Sequence, residues 1–147
     1  MSAAPTLNGQ VIGQAHYATR ALLETVLAPT GTTFNQSVAL NAVADGGEAV
    51  ERGALVARMT GALKIDESAV QATIRELAES KLLESLPGDA SRLRLTEAGR
   101  TLNGQIRAAV AEITERLYGG LPAEDLQTAG RLLALVTARA NAALADS

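Results

Sequence analysis

His16 and Tyr17, with Arg20 one helical turn on, are the one place in the first stretch of sequence where a titratable ring, an aromatic ring and a guanidinium crowd together. A single histidine cannot assemble a two-histidine metal site. With no cysteine, the chain has no disulfide framework, no thiolate nucleophile and no zinc-cysteine cluster. There is no Gly-rich phosphate loop and no nucleophile elbow. Glu112, Glu115, Glu124 and Asp125 read as helix-surface and first-turn charges, not as a pair set for acid–base work. These residues predict a protein that is not an enzyme and that uses no cofactor or metal.

The second set with chemical potential is cationic: Arg52, Arg58, Lys64, Arg75, Arg92 and Arg94. The stretch 46–100 that holds them has 8 basic and 9 acidic side chains, and the whole chain 13 and 16, for a formal charge of −3. Bulk charge therefore does not draw nucleic acid to this protein. Any affinity for DNA requires these six cations to share one surface.

The elements that position them are mostly helical. The 147 residues are 47% hydrophobic but only 2% aromatic, so the core must come from Ala, Leu, Val and Ile, within one domain. Val11, Ala15, Ala18, Leu22 and Val26 mark one face of a first helix, broken at Pro29 and Gly31. A second helix is predicted from about Thr33 to Ala44 with Phe34, Val38 and Val43 inward. A third covers roughly Glu51 to Leu63. Asp66 caps a fourth that runs to about Ser80, with Val70, Ile74 and Leu77 as its buried stripe.

Leu82–Leu86 and Arg92–Leu95, short alternating segments around Pro87-Gly88-Asp89, predict a β-hairpin. Thr96 caps a long helix that ends at Gly119-Gly120, with the stripe Leu102, Ile106, Ala109, Ile113 and Leu117. Pro122 opens a last helix with the stripe Leu126, Ala129, Leu133, Val136, Ala140 and Leu144. With so few aromatics and so little globular body to cover them, these terminal stripes predict dimerisation. No basic region precedes an apolar stretch at the N-terminus, and no run approaches the roughly 18 apolar residues of a membrane span. The expectation is a cytoplasmic protein with no membrane partner.

Three helices followed by a hairpin outline a winged helix-turn-helix. The stretch Met59-Thr-Gly-Ala-Leu-Lys-Ile-Asp-Glu-Ser-Ala-Val-Gln-Ala-Thr-Ile-Arg-Glu-Leu77, then Leu82-Leu83 and Leu95-Thr-Glu-Ala-Gly-Arg100, resembles the MarR family of transcriptional regulators across nearly the whole chain. The resemblance implies a mainly α fold: a DNA-reading lobe at about 33–95, and dimerisation helices at about 8–28 and 96–145. It implies a homodimer on double-stranded DNA, commonly a repressor released by a small-molecule effector. Carried over by position, Ser68, Ala69, Gln71, Ala72 and Arg75 become the outward residues of the reading helix, and Arg92 and Arg94 the wing contacts. Gln71 suits adenine, Arg75 guanine or phosphate, and Ser68 a phosphate oxygen.

By the same resemblance His16, Tyr17 and Arg20 line an effector pocket; the alternative is Tyr17 in the dimer core and His16 facing water. The chain departs from the family in its wing, which is shorter and has Asp89-Ala-Ser-Arg92 where an Asp-Arg-Arg run is usual. Ser85 replaces an Arg after the first strand, and Lys81 a Gly after the reading helix. A wing with fewer guanidiniums neutralises fewer phosphates and predicts a shallow salt dependence. A winged-helix dimer without DNA binding, serving as a protein-interaction module, is the other function this pattern allows.

Overall fold

The structure is a computed structural model that describes residues 3–147. Among the described residues, six α-helices, a 3-10 turn at Ala28–Thr30 and a small antiparallel sheet follow in the order α1 (Gly9–Leu27), α2 (Phe34–Asp45), β1 (Val50–Glu51), α3 (Arg52–Leu63), α4 (Glu67–Glu79), β2 (Leu83–Leu86), β3 (Asp89–Leu95), α5 (Glu97–Tyr118) and α6 (Ala123–Ala145). The chain divides into two compact units, one ending at Ile113 and the other Thr114–Ser147, with the boundary inside α5.

Helix starts are set by side chains that take up orphan amides. Asn8 Oδ1 accepts from Val11 N at 2.9 Å and Asp66 Oδ1 from Ala69 N at 2.8 Å. Thr33 and Gln36 form a reciprocal capping box at α2. Thr96 caps α5, as its position predicts, with Oγ1 accepting from Gly99 N at 3.0 Å and donating to Lys81 O at 2.7 Å. That second bond ties the end of the α4 turn to the start of α5.

Two helix exits are strained instead of eased by glycine. Lys64, after α3, has φ 57°, and Lys81, just beyond α4, has φ 61°. Both are left-handed positions that cost an L-residue with a Cβ about 1 kcal/mol or more. At Lys81, where the resemblance noted above implies Gly, the backbone takes a glycine-like left-handed conformation.

The first unit has one core. Leu40, Met59, Val70, Ile74, Leu77 and Leu83 are fully buried side chains contributed by α2, α3, α4 and β2, closed by Leu93 and Leu95 of β3 and Ile106 of α5. The stripe of α4 is the predicted one. That of α1 is not: only Leu27 is buried and Leu23 packs beside it, while Ala15 and Ala18 are exposed. The core of a single chain takes in only the C-terminal end of this helix. In α2, Ser37, Ala39, Leu40 and Ala42 are buried with Val43, whereas Phe34 and Val38 are half-buried.

The sheet order is β1-β3-β2. β2 and β3 form the predicted hairpin, with Leu83 opposite Leu95 and a register irregularity at Ser85/Leu86. β1 was not expected from sequence: Val50 pairs with Leu93 and Glu51 with Arg92. Glu51 is at once the last residue of β1 and the N-cap of α3. At the wing root, Gly99 passes so close to the Leu82 carbonyl that any Cβ there collides with the backbone. Within Thr114–Ser147 no residue is buried, and Leu126, Leu133, Leu135, Val136 and Leu144 are exposed along α6.

Candidate functional site

α3 and α4 are joined by the three residues 64–66 and pack through Leu55, Val56, Met59, Val70 and Ile74. The face of α4 opposite its buried stripe carries Ser68, Arg75 and Glu79, all exposed, with Ala69, Gln71 and Ala72 half-buried beside them. Arg75 forms no ion pair among the described residues. Arg52 Nη1 donates to Gln71 Oε1 at 3.5 Å, a weak contact that leaves the Gln71 amide group available. Glu51 faces Arg92 across β1 and β3, which sets the start of α3 beside the wing, and the Arg52–Gln71 contact sets the same start beside α4.

Two of the predicted contacts are already engaged. Ser68 Oγ donates to Asp66 Oδ1 at 2.8 Å. The Ala69 amide, then the Ser68 hydroxyl, hold the Asp66 carboxyl below its ordinary range. The positive end of α4 is thus occupied by an anion from its own chain. Arg94 Nε pairs with Glu84 Oε1 at 2.9 Å across the hairpin. Asp89 at the wing turn is also held low, by the Ser91 side chain first and then its amide, with Arg92 adding a smaller effect. The six cations do not all share the reading side: Arg58 turns to α2, where its Nη2 meets Asp45 Oδ2 at 3.2 Å.

Arg58 instead lines a half-open cavity of about 480 Å³ between α1, α2, α3 and α5. Leu23, Phe34, Val38, Met59, Ile106 and Val110 give it apolar walls, and Asn41, Arg58, Asn103 and Arg107 its polar groups. Asn103 is only 5% exposed. Arg107 Nε donates to Asn41 Oδ1 at 2.8 Å, and its Nη2 pairs with Asp45 Oδ1 at 2.6 Å. One carboxylate, Asp45, therefore serves two guanidiniums, and the cluster keeps a net positive charge.

These polar residues had a signal in the sequence. Asn41 and Asp45 on α2, and Asn103 and Arg107 on α5, each stand four apart, on one side of a helix. Of the predicted pocket residues, neither His16 nor Tyr17 lines this cavity. Both are exposed, Tyr17 by 70%, with their rings edge to face at 5.2 Å. Arg20 is placed otherwise: its guanidinium lies 4.2 Å over the Phe34 ring, and its Nε is 3.3 Å from Glu24 Oε1. There it lines an open cleft that reaches Ala69, Ala72 and Glu76 of α4.

No protein-family model matches the chain, and no curated protein sequence matches it. Solved structures do. A MarR-family transcriptional regulator from Rhodococcus sp. RHA1 superposes with a TM-score of 0.71 at 21% identity, covering 88% of this chain and 91% of that one. BpsR of Bordetella bronchiseptica, whose DNA binding is regulated by 6-hydroxynicotinic acid, gives 0.70 at 25% identity over 91% and 98%. A MarR C80S mutant from E. coli complexed with operator DNA gives 0.70 at 21% identity over 87% and 91%. With helix order, wing and chain length all matching, this chain has the winged helix-turn-helix fold of the MarR-family transcriptional regulators.

Proposed function

We propose that the protein is a sequence-specific DNA-binding transcriptional regulator, a repressor acting as a homodimer on a pseudo-palindromic operator. The observation that carries this reading is the outer face of α4, with Ser68 and Arg75 exposed and Gln71 half-buried between them, set by the packed α3–α4 turn. Gln71 reads adenine and Arg75 guanine from the major groove, with Arg92 on the flanking backbone. The unburied apolar residues of α6 and the uncovered face of α1 supply the dimer contact. Two reading helices then fall about 34 Å apart, one turn of duplex.

Selection from randomised duplexes at low salt tests the reading. The expected result is an inverted repeat, with affinity reduced about tenfold or more by Arg75→Ala or Gln71→Ala. If no repeat is enriched, the reading fails.

Release by a small ligand completes the proposal. An apolar cavity of about 480 Å³ with Arg58 and Arg107 at its polar side suits a small aromatic acid, the kind of molecule that regulates BpsR. A ligand carboxylate competes with Asp45 for both arginines and so loosens α3 from α5. Arg107→Gln is expected to leave operator binding intact and abolish its relief by aromatic acids, measured by fluorescence anisotropy.

One observation favours a second reading. The exposed residues of α4 include Glu67, Glu76 and Glu79 against the single Arg75, an acidic helix that would repel a duplex. A winged-helix dimer that binds a basic protein surface, and no DNA, is the function left if the selection returns nothing.

A further inference from the structure

A second cavity, of about 540 Å³, lies at the root of the wing, away from the one assigned to the effector. Its wall brings together Arg92, Arg94 and Arg100 against one carboxylate, Glu48, with half-buried Leu86 at its apolar side. Three guanidiniums facing one space repel each other unless something offsets them. Arg94 is offset by Glu84 at 2.9 Å. Arg100 donates Nη1 to the neutral Leu95 carbonyl at 3.0 Å, and neither it nor Arg92 forms an ion pair among the described residues.

The wall is firmly built. Arg92 and Arg94 stand two residues apart on one face of β3, and Arg100 rises from the first turn of α5. The loop that carries Glu48 is pressed against β1 so closely that a Cβ at Gly46 would collide with the Val50 side chain.

We propose that this cavity binds a small free phosphate-bearing metabolite, its phosphate held between Arg92 and Arg100. Arg92 and Arg100, neither of them in an ion pair among the described residues, supply the forked donors that phosphate oxygens match, and half-buried Leu86 flanks the remainder of the molecule. The volume lies in the range of small-molecule sites. Binding itself does not depend on the DNA reading. One consequence does rest on it: an anion that occupies Arg92 competes with a duplex for the wing.

Inorganic phosphate is the probe, titrated into the full chain against chloride at matched ionic strength and followed through the arginine Nε–H resonances. The expected result is saturable movement at Arg92 and Arg100 with Arg131 still. Arg100→Gln weakens phosphate by about tenfold. Glu48→Gln, which removes the like charge without touching a guanidinium, tightens it by on the order of threefold. Equal, non-saturating shifts in phosphate and chloride overturn the proposal. So does saturation of these arginines by duplex DNA with none by phosphate, which makes them duplex contacts only. If Arg100→Gln fails to fold, the Glu48→Gln titration decides alone.

Discussion

The two compact units are both largely helical, yet they bury apolar surface in opposite ways. Up to Ile113, α2, α3, α4 and the hairpin close over Leu40, Met59, Ile74 and Leu83, and the large side chains vanish from solvent. From Thr114 onward the composition is as apolar, but nothing is buried, and Leu133, Val136 and Leu144 remain 39%, 43% and 60% exposed. The same residue types thus do two jobs. In the first unit they build a core, and in the second they stay open to solvent, the surface proposed above for self-association.

The contrast is broken most strongly on the uncovered side. Leu133→Glu combined with Val136→Glu is expected to leave the winged-helix core folded and the protein monomeric, read by sedimentation velocity beside circular dichroism. A dimer that survives both charges would refute the assignment of α6 to self-association. Next comes the core itself: Leu40→Ala or Ile74→Ala should cost about 2–5 kcal/mol in urea unfolding. Gly99→Ala, which drives a Cβ into the Leu82 carbonyl, is expected to lose about 1–3 kcal/mol.

The smallest effect is a pH dependence. Asp66 and Asp89 have folded-state pKa values below their unfolded ones. Their contribution is therefore present above the unfolded carboxylate range and is lost as pH falls through the lower folded values. Acid titration of Asp66→Asn should show a flatter fall in stability below about pH 4 than the parent chain. A parallel fall in both would mean that the cap does not couple to folding.

Much of this was legible because the signals were local. The N-cap Asp66, the Val70–Ile74–Leu77 stripe and the Pro87-Gly88 turn each declare themselves within a few residues, and the structure places α4 and the hairpin where they point. β1 did not: two residues are too few for alternation to be seen, and their partners lie more than 40 residues away. The outer face of α4 could be named from the helix period. What could not be foreseen is that Asp66 and Glu84 already engage Ser68 and Arg94. The cavity cluster was the least legible, because Asp45, Arg58 and Arg107 meet only once α2, α3 and α5 are packed.

The residue shared by β1 and α3 has a mechanical meaning. Because Glu51 ends the strand and begins the helix, no hinge separates them. Torque applied to α3 reaches β3 through the Glu51–Arg92 register without crossing a loop. The start of α3 and the middle of β3 are therefore joined at Glu51 and Arg92 with no loop between them.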